Sequence, residues 1–210
     1  MSRLRILVGC AATVVAVVGL SLPALAGDSG TDVLKASDLP GDYVQAAAPE
    51  TESTGNGIVV DREACSQDIA PISGLTELVT VQFAAANTGT TAMSEAITTF
   101  PKAKAANASF KKRSKDVAAA IKCNDVDVVR NGATVATLVY EKVKFPKFGD
   151  RSTAWHVRPA DDTTAEGSTT TIAFLSGTHV VFLNTFGNEG SPTLKQLKTI
   201  ARRAERRLQD

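Results

Sequence analysis

The chain has 210 residues, 43% of them apolar, which fits one globular domain plus a short extra segment. That excludes a disordered tail, a collagen, a repeat array or a multi-pass membrane protein. Lys and Arg number 23 against 22 acidic residues, so nothing favours nucleic acid as a partner, and two His and three Cys leave little for a metal or other cofactor.

Residues 1–26 read as an export signal. Arg3 and Arg5 form a basic start, an uncharged run begins at Ile6, and Pro23 precedes the small residues of Ala24-Leu25-Ala26. Cleavage between Ala26 and Gly27 fits this pattern best. Residues 6–26 are also long enough to span a bilayer if cleavage fails. Leu7-Val8-Gly9-Cys10 resembles a lipobox, but the apolar stretch follows that Cys rather than preceding it. All three readings keep the arginines inside and put residue 27 onward beyond the cytoplasm, secreted or in the cell envelope.

Removal of the signal takes Cys10 with it. Cys65 and Cys123 remain, an even pair with one intramolecular connectivity in an oxidising compartment. Closing that loop is worth about 4 kcal/mol. Two separate buried thiols are the bland alternative, and the absence of C-x-x-C argues against a redox-active pair.

Residues 27–57, rich in Gly, Asp, Ala and Thr, read as an extended N-terminal arm whose Asp38-Leu39-Pro40-Gly41-Asp42-Tyr43 turn docks its Tyr on the domain. Residues 58–210 then form a single domain. Strands are expected over 58–60 and 78–83. The spacing of Met93, Ala96, Ile97 and Phe100 predicts a helical patch.

A central helix follows over 101–122, with Ala103, Ala106, Phe110, Val117 and Ile121 on one face and Lys104, Lys111, Lys112, Lys115 and Lys122 towards another. Strands follow over 126–129, 133–145, 152–158, 169–175 and 179–186. Asn131-Gly132 and Ser176-Gly177 act as hairpin turns, so consecutive hairpins make an antiparallel meander. A second amphipathic helix is expected to open at Ser191-Pro192, with Ser as its cap. It carries Leu194, Leu197, Ile200, Ala201, Ala204 and Leu208 on one stripe and basic residues elsewhere. The fold class is therefore α+β, with a central and a C-terminal helix on the sheet and one disulfide.

Catalytic signatures are absent: no G-x-S-x-G, no H-E-x-x-H, no phosphate loop and no Rossmann fingerprint, so no enzyme activity is expected. His156 and His179 lie in no recognisable motif. The most suggestive cluster is Gly149 to Arg158, in which Trp155, His156 and Arg158 are the candidate ligand-binding residues, because Trp and Arg are enriched at binding hot spots. Strand alternation sets Trp155 with Val157 on one face and His156 with Arg158 on the other, so Trp155 also reads as a core anchor. The basic helix faces read as solvated surfaces or as peripheral contacts with anionic lipid.

The order of these motifs resembles the PknH-like extracellular domain family, sensor-type domains of exported bacterial proteins. The carriers are Leu39-Pro40-Gly41-Asp42-Tyr43, Cys65, Cys123, Gly149-Asp150-Arg151-Ser152, Gly177-Thr178-His179-Val180-Val181 and the basic C-terminal helix, across 38–208. The resemblance implies a twisted antiparallel sheet with helices on it and a cleft for a small extracellular ligand or an envelope component. It brings no catalytic residues. The kinase-linked members have two disulfides where this chain can form one, and no kinase domain is present here.

Overall fold

Central strands buried on both faces read as nearly continuous apolar runs, and two here do so. The structure, a computed structural model, describes residues 33–46, 50–52, 74–123, 125–130, 133–161, 167–187 and 190–209. Its strands are β1 (Tyr43–Gln45), β2 (Glu50–Glu52), β3 (Glu77–Ala85), β4 (Thr91–Thr99), β5 (Asp125–Arg130), β6 (Ala133–Lys142), β7 (Arg151–Pro159), β8 (Thr169–Ser176) and β9 (His179–Phe186). The helices are α1 (Ala103–Cys123) and α2 (Leu194–Arg207). All strands pair antiparallel in one sheet of order β1-β3-β4-β9-β8-β7-β6-β5, with β2 a second partner of β3.

The meander holds from β5 to β9, and β9 then pairs with β4 through Ile97↔Val181. That register joins an N-terminal hairpin to a C-terminal five-strand meander. β4 ends mid-sheet and β5 lies at the far edge, so α1, which connects them, crosses the intervening strands. Ala and Lys fill α1, with no Gly or Pro in its interior to interrupt it.

The residues of β8 sort the two layers. Ala173 and Leu175 pack with Ala106, Phe110, Val117 and Ala120 of α1, beside Trp155, Val157 and Tyr140. Ile172 and Phe174, both fully buried, point the other way into Leu197, Ile200, Ala201 and Ala204 of α2. The helices therefore cover opposite faces of the sheet. Burying each such large apolar side chain stabilises by roughly 1.5–3 kcal/mol.

Three expectations need correction. Residues 91–99 are strand β4, not a helical patch: Met93, Glu95 and Ile97 face α2, and Ser94 and Thr98 face the other layer. α2 is capped by Thr193 rather than Ser191. The Thr193 hydroxyl accepts from Gln196 N–H at 3.3 Å, while the Gln196 side chain accepts from Thr193 N–H at 2.8 Å. Ser191 instead donates to the Phe186 carbonyl and, at 3.3 Å, to that of Ala92. The third correction concerns β6, which ends at Lys142, leaving 143–145 as loop.

The arm docks as expected, with the Tyr43 hydroxyl donating to the Gly190 carbonyl at 2.7 Å. Part of it joins the sheet as β1 and β2. The expected strand at 58–60, the signal with its Ala26–Gly27 junction, and Cys65 lie outside the described residues. Cys123, the last residue of α1, is the single cysteine among the described residues, and it is not a free thiol.

Candidate functional site

The two motifs after Gly149 and Gly177 meet at one end of the sheet. Asp150 Oδ2 accepts from Gly177 N–H at 3.2 Å, and Asp150 N–H donates to the Leu175 carbonyl at 2.8 Å. Gly149 N–H donates to Glu205 of α2 at 2.6 Å. Gly149 adopts φ +53°, and a Cβ there would lie 2.1 Å from the Leu175 carbonyl oxygen. This turn needs Gly both for its conformation and for its close approach. The motifs thus lock the start of β7 to the β8–β9 turn and to the end of α2.

Trp155, His156 and Arg158 do not form one cluster. Trp155 is 7% exposed beneath α1. His156 and Arg158 project from the opposite face, where register sets Glu141 beside His156 on one side and Thr170 on the other. His156 Nδ1 lies 2.9 Å from the Thr170 hydroxyl, and Arg158 Nε donates to Glu141 at 3.4 Å. Burial holds the His156 imidazole below its ordinary pKa; the Glu141 charge opposes this and Arg158 reinforces it. The ring is therefore neutral at pH 7.

No described residue of β5 or β6 belongs to the buried cluster under α2. That half of the face is largely polar: around the buried Val139 stand exposed Glu141, half-buried His156, Arg158 and Thr170, and, on β5, Asp125 and Asp127, the latter accepting from Thr137 at 2.6 Å, a polar ledge. Sequence alternation alone places His156 with Arg158. Glu141 and Thr170 join them only through pairing register, which no local pattern carries.

Two open clefts flank the sheet ends. One, of about 560 Å³, lies between Asp42, Tyr43, Asn87, Gly190 and Gln196. The other, of about 350 Å³, lies between the first turn of α1 and the locked turn, lined by Lys104, Asn107, Asp150 and Arg151. Beneath the α1 face a polar row is buried instead: Thr171 donates to Asn184 at 2.9 Å, and Asn184 to Ser94 at 3.2 Å.

Among the described residues neither histidine hydrogen-bonds a carboxylate. His179 Nδ1 lies 3.1 Å from the Thr99 hydroxyl, and its pKa is lowered by burial against the raising charge of Glu77. Among the described residues no group of three His, Cys, Asp or Glu could hold a metal, and no helix is long and apolar enough to cross a membrane.

No protein-family model matches the chain, and no curated protein is similar to it in sequence. In three dimensions it is similar to the crystal structure of the extracellular domain of PknH from Mycobacterium tuberculosis. The TM-score is 0.56 at 14% identity, over 81% of this chain and 87% of that one. At that identity the likeness is one of fold: the chain shares the α+β architecture of that extracellular domain.

Proposed function

We propose that this protein is an exported, non-enzymatic, sensor-like module that binds a small extracellular ligand or an envelope component on the polar ledge of its sheet. The observation that carries the proposal is the half-face outside the described cluster under α2, where His156, Thr170, Glu141 and Arg158 converge. Neutral imidazole, hydroxyl, carboxylate and guanidinium alternate donors with acceptors there, which suits a hydroxylated ligand. The fold likeness to an extracellular domain and the export signal support a position outside the cytoplasm, and a Cys65–Cys123 disulfide suits that compartment.

A thermal-shift screen of envelope glycans and small polyols tests this reading. A stabilising ligand whose effect disappears in His156→Ala and Arg158→Ala supports it. Silence across the panel, or a hit that both variants retain, overturns the ledge as the site. Mass spectrometry of the exported protein tests the disulfide, and a free Cys65 thiol would remove it.

A further inference from the structure

α2 sorts its charges by direction. Arg203 donates to the Asp38 carbonyl, Arg207 pairs with the Asp38 carboxylate at 2.8 Å, and Glu205, the one acid of the helix, turns to Gly149. The remaining cations, Lys195, Lys198, Arg202 and Arg206, are all exposed. Their three- and four-residue spacings put them on one stripe about 80° wide and about 16 Å long. Among the described residues none of the four has an ion-pair partner. Leu194, 46% exposed, flanks the start of the stripe. The whole chain is close to neutral, so this is charge segregation rather than general basicity.

The layer that carries the stripe is also where the chain enters the domain. Val33 and Leu34 pack into the cluster that α2 covers. Six residues separate Val33 from Ala26, the end of the apolar segment, a reach of at most about 25 Å. A bilayer-embedded segment ending at Ala26 would keep Val33, which packs in the layer of α2, within that reach of the membrane surface.

We propose that the outer face of α2 docks on the anionic surface of the membrane through Lys195, Lys198, Arg202 and Arg206. α1 also presents Lys104, Lys111, Lys115 and Lys122, but on the opposite side of the sheet, so a flat surface meets one stripe or the other. The entry point of the arm selects α2. This surface is separate from the ledge, so either assignment can fail without the other.

The test holds the mature protein on phosphatidylcholine vesicles, with or without phosphatidylglycerol, by a lipid coupled to its N-terminal amine at Gly27, and reads docking as slowed hydrogen exchange in α2. Docking is expected only with the anionic lipid, and is lost at high salt. Lys198→Glu with Arg202→Glu lowers the docked-to-undocked ratio by at least about 25-fold, at roughly fivefold per cation removed. The milder Lys198→Gln with Arg202→Gln, checked for an unchanged melting temperature, gives a loss of the same sign. Lys111→Glu with Lys115→Glu on α1 changes it less than about twofold. Equal loss from the α1 pair, absence of docking, or equal docking on neutral vesicles overturns the proposal. Equally tight binding to soluble polyglutamate also overturns it, because the partner would then be an acidic polymer.

Discussion

Glu95, 1% exposed in the middle of β4, accepts the Leu34 backbone N–H at 2.7 Å. A carboxylate among Val81, Ile97 and Leu183 is costly unless it is bonded, and here it latches the arm to the sheet. Glu95→Leu leaves the Leu34 N–H without its acceptor and destabilises by about 1–3 kcal/mol. Hydrogen exchange at Leu34 should accelerate well beyond that at Val181. Unchanged protection at Leu34 would remove the latch.

Gly149→Ala combines positive φ with a collision against the Leu175 carbonyl. We expect a loss of about 3 kcal/mol, lowering Tm by roughly 6–12 °C. Gly177→Ala, also at positive φ but with open space around it, should cost only about 1 kcal/mol. Equal effects would contradict the close approach at Gly149.

Both histidines have folded pKa values below the ordinary 6.5, through burial. As pH falls the unfolded chain takes up protons first. Their contribution is therefore full above about 6.5 and is lost as pH drops through the lowered folded values. Asp38 adds a second, more acid loss. Burial pushes its carboxyl up, but the Lys35 N–H, Arg207 and Arg203 outweigh this and hold it below 3.8. Melting curves from about pH 8 to 3 should show both steps, and the first should shrink in His156→Gln with His179→Gln. A flat profile between about pH 7 and 5 would contradict the imidazole burial.

Trp155→Ala should destabilise by about 3–5 kcal/mol, as the loss of a buried aromatic beneath α1. Arg158→Ala, with a partly exposed guanidinium, should change stability by less than about 1 kcal/mol. Comparable losses in chemical denaturation would return Trp155 to the ligand-binding surface.

The Thr98 hydroxyl is buried without a partner. Replacing it with an isosteric methyl removes that desolvation penalty, so Thr98→Val should stabilise by up to about 1 kcal/mol. A destabilised variant would show that the hydroxyl has a function.

Much of the architecture was legible because its strands end in turn signals and α1 repeats its apolar residues at helical spacing. β4 was not. It is buried on both faces, so Ala92, Met93, Ala96 and Ile97 show no alternation, and Glu95 breaks the apolar run for a tertiary reason. The true cap of α2 was present as Thr193-x-x-Gln196, overshadowed by the Ser-Pro pair before it. His156 and Arg158 could be placed together because strand parity is local. Their neighbours Glu141 and Thr170 arrive through hairpin register, and the β4–β9 seam through contacts distant in sequence, which no window of neighbouring residues encodes.

That seam sets a timetable. A chain that emerges N-terminus first during synthesis delivers the β3–β4 hairpin long before β9, so the inner edge of β4 waits unpaired until the closing strand arrives. Assembly is thus governed by late-arriving residues, and a truncation upstream of 179 should leave an aggregation-prone fragment rather than a smaller domain.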